Sequence, residues 1–236
     1  MNKANSKAGP RPGLSLVLLF FLSGAAGLVY QVLWREELAL YFGRTWAATA
    51  LVLAVFMGGL ALGSLVGGAL ADRLSLPLLV YSFLETALAP MVLFPDYLLE
   101  WLRPLYVRSW HALGGEGPLL AGLQLLIAAA ALLPATTLMG ATLPVLSRFA
   151  AKGSFRRELP RLYGANTLGA AAGALAAAFL LIPWLGLPLT RLTAVSVTLA
   201  VAFLAARLAK RDLPSVERVK EEMARRLRGR ETRREP

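Results

Sequence analysis

Glu85 lies in the middle of an apolar run from Leu76 to Phe94, in a chain made largely of such runs. An ionisable side chain at bilayer depth is costly, so such groups usually face a protein interior and mark an ion or substrate pathway. The other polar residues expected to be buried are Tyr30, Gln31, Arg35, Glu36, Tyr81, Gln124, Thr136, Thr137, Thr142, Asn166 and Thr167. A carboxylate among phenols and amides at low dielectric suits a cation, whether a proton or an amine such as a polyamine. An ammonium group both pairs with the carboxylate and keeps it ionised. Glu85, Tyr30, Gln31, Tyr81 and Asn166 are therefore the expected binding residues. The structural alternative is that Glu85 pairs with Arg35, or with a polar group of another span, and only fixes the bundle.

The elements that must position these residues are membrane spans. Of 236 residues, 57% are hydrophobic and 17% charged, and the mean hydropathy is +0.59. Lipid is the solvent such a composition suits. Six stretches are apolar for about 20 residues, enough helix to cross ~30 Å of hydrocarbon. They run near Leu14 to Trp34, Trp46 to Ala71, Leu76 to Phe94, Pro118 to Leu138, Tyr163 to Leu185 and Leu189 to Leu208. The third is short, as befits a helix bordering a cavity. The expected fold is an all-α bundle of about six transmembrane helices over residues 14–208, flanked by an N-terminal segment 1–13 and a basic tail 209–236.

Charge sets the expected orientation. With the N-terminus inside, the inner segments hold twenty of the 25 Lys and Arg residues and the outer segments five. This positive-inside bias puts both termini in the cytoplasm. It also gives the net charge of +11 a topological origin that requires no nucleic acid. Lys3 and Lys7 followed by Ser23-Gly24-Ala25-Ala26 would also suit a cleaved leader. Hydrophobicity continues unbroken to Trp34, however, which is the length of a span. With no cysteine and one histidine, His111, thiolate chemistry and Cys/His metal sites are excluded.

Between the spans, Pro95 to Gly117 carries Trp101, Tyr106 and Trp110 among Arg103, Arg108 and His111, a composition suited to a helix lying in the interface. In the tail, Val216, Val219, Met223 and Leu227 form one apolar face on a basic helix started by Pro214 and Ser215. Such a helix suits anionic lipid or a docking partner. Gly59, Gly63, Gly67 and Ala71, and likewise Gly169, Gly173 and Ala177, recur every fourth residue. Stripes of small residues let helix backbones approach closely, either as internal seams or as a sliding or dimer interface. Pro134, Pro144 and Pro183 interrupt the later spans, and Thr136, Thr137 and Thr142 are suitable donors for the carbonyls they free.

Gly68-Ala69-Leu70-Ala71-Asp72-Arg73 resembles the Gly-x-x-x-Asp-Arg signature between the second and third spans of major facilitator transporters. That resemblance implies that Gly68, Asp72 and Arg73 form a cytoplasmic gate and that six spans are half of such a fold. Four longer blocks resemble the membrane domain of bacterial spermidine synthase-like proteins, in which a major facilitator-like part is fused to a spermidine synthase. They are residues 23–31 (Ser23-Gly24-Ala25 to Gln31), 56–64 (Phe56-Met57-Gly58 to Ser64) running into Ala71-Asp72-Arg73, 136–144 (Thr136-Thr137-Leu138 to Pro144), and 163–170 (Tyr163-Gly164-Ala165-Asn166 to Ala170).

In that family an aminopropyltransferase domain usually follows, but no glycine-rich nucleotide turn outside a span and no amine-binding carboxylate set occurs here. The chain is expected to have no catalytic residues, cofactor or metal of its own. The resemblance implies a multi-pass module of the bacterial inner membrane that anchors, or exchanges amines with, a separate aminopropyltransferase-like partner. The alternatives are a small homodimeric transporter or binder of a cationic metabolite, and an inactive fragment of the fused enzyme.

Overall fold

The computed structural model describes residues 14–71, 73–151 and 155–212. The N-terminal segment, Asp72 and the tail from residue 213 lie outside the described residues, and with them the expected tail helix. Every regular element among the described residues is helical: α1 (Leu14–Phe42), α2 (Trp46–Ala71), α3 (Pro77–Ala112), α4 (Pro118–Ala151), α5 (Phe155–Ala176) and α6 (Ile182–Asp212). A five-residue π turn, Ala177–Leu181, joins the last two. Its wider turn lies just before Pro183, whose ring would otherwise meet the carbonyl four residues back.

Local chemistry sets the ends. Gly43, at a φ of 85°, terminates α1 in the left-handed region that glycine alone enters freely. Thr45 then caps α2, its Oγ1 accepting the Ala48 N–H at 3.1 Å. Pro77 and Pro118 open α3 and α4, where a missing N–H leaves no bond unmade.

Five continuous helical stretches are long and apolar enough to cross a membrane, and the chain is a multi-pass membrane bundle. The last, Leu159–Lys210, has 52 residues, about 78 Å of helix and twice a bilayer. It is broken at Gly186, with φ 73° and ψ 174°. Phe21 and Ala25 of α1 lie against Gly169 and Gly173, so α5 runs parallel to α1. Tyr30 and Glu37 of α1 meet Thr198 and Arg191, so the chain beyond Gly186 runs antiparallel to α1. The stretch is therefore a hairpin, and the chain makes six passes.

Two expectations are corrected. The third span is not short, and Pro95 to Gly117 does not begin a separate interfacial helix: α3 continues unbroken to Ala112 through Pro90, Pro95 and Pro104. At 36 residues it is about 54 Å long. Its extension is held upright against α4 by Gln124, which donates to the Tyr106 hydroxyl at 2.9 Å, while the Tyr106 ring also packs at a tilt against Phe42 of α1. These lateral contacts prevail over an amphipathic pattern that would otherwise suit the membrane surface.

The small-residue stripes are internal seams. A Cβ on Gly59, Gly63 or Gly67 of α2 would collide with Thr136, Thr137 or Ala141 of α4, and one on Gly169 or Gly173 would meet the α1 backbone. Pro144 frees the Gly140 carbonyl, and Ser64 of α2, rather than Thr142, donates to it at 3.1 Å. Thr142 instead donates to its own helix at Met139.

In this packing α2 pairs with α4, α1 with α5, α3 with both α4 and α6, and α6 also with α1. Exchanging α1 with α4, α2 with α5 and α3 with α6 leaves the pattern unchanged. That is the contact signature of two three-helix units repeated in the same order and, because each has three helices, in opposite orientation across the membrane.

Candidate functional site

The core is two apolar clusters with a polar layer between them. One cluster, near the end where the chain enters α1, contains Leu19, Phe20, Leu78, Tyr81, Leu146, Leu162 and Val201. The other, toward the far end, contains Trp34, Phe42, Phe56, Val92, Leu99 and Ile127. Along each helix the polar residues fall in the gap: Ser23 in α1, Ser64 in α2, Glu85 in α3, Thr142 in α4, Asn166 in α5 and Thr198 in α6. All six line one cavity of about 170 Å³.

Glu85 is 1% exposed. Its Oε1 accepts a hydrogen bond of 2.6 Å from the Ser23 hydroxyl. The Tyr81 hydroxyl, one helical turn earlier, lies beside this pair. Across the cavity the Tyr30 and Thr198 hydroxyls bond each other at 2.7 Å. No ion pair of Glu85 is found among the described residues. Of the two partners the structural alternative offered, Arg35 pairs with Glu36 near the far end of α1 instead, and the polar group of another span that Glu85 meets is Ser23. A buried carboxyl held, among the described residues, by hydroxyls alone must carry a proton or face a cation, because an isolated charge at this depth costs several kcal/mol.

Of the residues singled out from sequence, Glu85, Tyr30 and Asn166 line the cavity. Tyr81 stands behind Glu85 in the adjoining apolar cluster. Gln31 is half-buried and does not line it, since its helical position is rotated about 100° from Tyr30. Gly68 faces open space on α2. Arg73 is exposed in the turn after α2, where its N–H bonds the Leu70 carbonyl. The loop motif thus lies apart from the cavity, and Asp72 is outside the described residues. Of the remaining polar set, Thr167 is exposed and bonds its own helix.

Sequence reasoning did not select Ser23, Ser64 or Thr198 as site residues. It also missed a clasp at the far end, where Arg191 of α6 pairs with both Glu37 of α1 and Asp96 of α3. Between clasp and cavity stand three aromatic rings, Tyr30 stacked on Trp34 at 5.8 Å and Trp34 tilted against Phe56 at 6.3 Å. The three helices joined by Arg191 therefore meet on the far side of this aromatic layer from the cavity.

No family model matches the sequence, and neither a curated protein nor a solved structure is found to be similar to it.

Proposed function

We propose that this chain is a membrane-embedded module that binds a small organic cation, an aliphatic amine, at Glu85. The observation that carries this reading is a buried carboxyl with no ion-pair partner among the described residues, facing a cavity to which all six helices contribute a polar side chain. Ser23 orients the carboxyl, with Tyr81 behind it, and Tyr30, Thr198 and Asn166 supply acceptors for an ammonium group.

Size narrows the choice. A cavity of roughly 150 Å³ takes one benzene molecule, and putrescine has the same number of non-hydrogen atoms. Spermidine is too long for 170 Å³ unless the helices part. The resemblance to spermidine synthase-like membrane domains supports the amine class on separate grounds. By the same resemblance the amine would pass to or from an aminopropyltransferase-like enzyme at the bacterial inner membrane, with both termini and the basic tail cytoplasmic.

A second reading, transport, is favoured by the inverted pairing of three-helix units around a central site, the plan of many secondary transporters. A homodimer would then supply a second lobe.

The test is thermal stability of the purified protein in detergent with putrescine, spermidine or decarboxylated S-adenosylmethionine, with Glu85→Gln in parallel. A ligand at 100 times its dissociation constant stabilises the folded state by about 2.7 kcal/mol. Putrescine is expected to raise the melting temperature of the wild type and to leave Glu85→Gln unchanged. Equal shifts in both proteins, or no shift with any amine, would remove the cation-site reading. Uptake into vesicles that disappears in Glu85→Gln would select transport over static binding.

A further inference from the structure

A second concavity lies far from Glu85, where the end of α1 meets the extension of α3. Its volume is about 360 Å³, and its walls include Tyr41, Phe42, Arg103, Tyr106, Val107 and Trp110. The last four recur at helical spacing and form one face of α3. Arg103 lies 26 residues beyond Pro77, about 39 Å along the helix, which is close to the full thickness of a bilayer with its headgroups.

The site is built rather than incidental. Tyr106 is buried and fixed from two sides, by Gln124 and by the Phe42 ring. Trp110 packs over Gly115, where an added Cβ would come within 3.0 Å of the indole. Arg103 makes no ion pair among the described residues, and no carboxylate lines the pocket.

An unpaired guanidinium selects a phosphate, which it can engage through two parallel hydrogen bonds. Aromatic walls select an ammonium group, held by the ring quadrupole. Both requirements are met in one molecule at this depth. We infer that this pocket binds the headgroup of a zwitterionic glycerophospholipid, its phosphate on Arg103 and its ammonium against Tyr41 and Trp110. The bound lipid would fill the gap between α1 and α3 at the membrane surface. This inference does not rest on the amine reading of Glu85.

The experiment is native mass spectrometry of protein released from nanodiscs containing equal parts phosphatidylethanolamine and phosphatidylglycerol, with soluble phosphoethanolamine added in a second arm. One phosphatidylethanolamine retained per wild-type chain is expected, with about tenfold weaker retention in Arg103→Glu and in Trp110→Ala. Melting temperature and a monodisperse gel-filtration profile in detergent serve as folding controls for both variants. Displacement by soluble phosphoethanolamine would assign recognition to the headgroup itself, and retention despite it would assign the acyl chains a share of the affinity. Retention unaffected by Arg103→Glu, or equal retention of phosphatidylglycerol, would overturn the inference.

Discussion

A cation and a proton compete for the same oxygens of Glu85, so amine binding is expected to weaken as pH is lowered through the titration of that carboxyl. A binding isotherm repeated across pH should slope for the wild type and be flat and weak for Glu85→Gln. Arg191 makes a separate prediction. Removing one member of a buried ion pair typically costs about 3–5 kcal/mol because the other charge is left unpaired. Asp96 is part-exposed and Glu37 is buried, so the loss should come mainly through Glu37. Arg191→Gln should lower stability in a denaturant titration, and adding Glu37→Gln should restore much of it; no restoration would place the energy elsewhere. Glu85 was legible in the sequence because a carboxylate is rare in an apolar run. Ser23 and Thr198 were not, since hydroxyls in membrane helices often serve only their own backbone, as Thr86, Thr193 and Ser196 do here. Arg191, Glu37 and Asp96 were visible as charges, but their pairing depends on the register between three helices.

At the scale of elements, the glycine seams carry much of the packing, because lipid removes the hydrophobic drive between helices. Gly169→Leu would force a side chain into the Phe21 backbone, and Gly63→Leu into that of Thr137. Each is expected to destabilise the bundle by about 1–3 kcal/mol or more. Gly68→Leu, which faces open space on the same helix as Gly63, should be nearly neutral. Equal losses at Gly63 and Gly68 in the same denaturant series would refute the seam. The helices themselves could be read from apolar length, and the seams from four-residue periodicity. The upright extension of α3 could not, because three prolines and an aromatic-basic composition suggest an end near Phe94. What carries the helix onward is a lateral hydrogen bond to Gln124 and a ring contact with Phe42, neither of which local sequence reveals.

For the whole molecule, the hairpin at Gly186 fixes six passes and brings the end of α6 to the side where α1 begins. The chain has no cysteine, so single cysteines report topology without background. Cysteines at Gly115 and Gly186 should label from one side of the membrane, and cysteines at Arg73 and Lys210 from the other; labelling of Gly115 and Lys210 from the same side would contradict the hairpin. Composition and span length made the membrane class legible, whereas the arrangement of the six helices required their contacts. Those contacts also define a parting plane. On one side lie α1, α5 and α6, and on the other α2, α3 and α4; a glycine seam joins α1 to α5 and another joins α2 to α4, while α3 packs on α6 across the plane. Ser23 to Glu85, Ser82 to the Ala202 carbonyl, and Arg191 to Asp96 are polar ties across it. Only the α1–α2 and α4–α5 connections cross it along the chain. A wedge of motion opening along that plane would expose the Glu85 carboxyl while leaving both glycine seams intact.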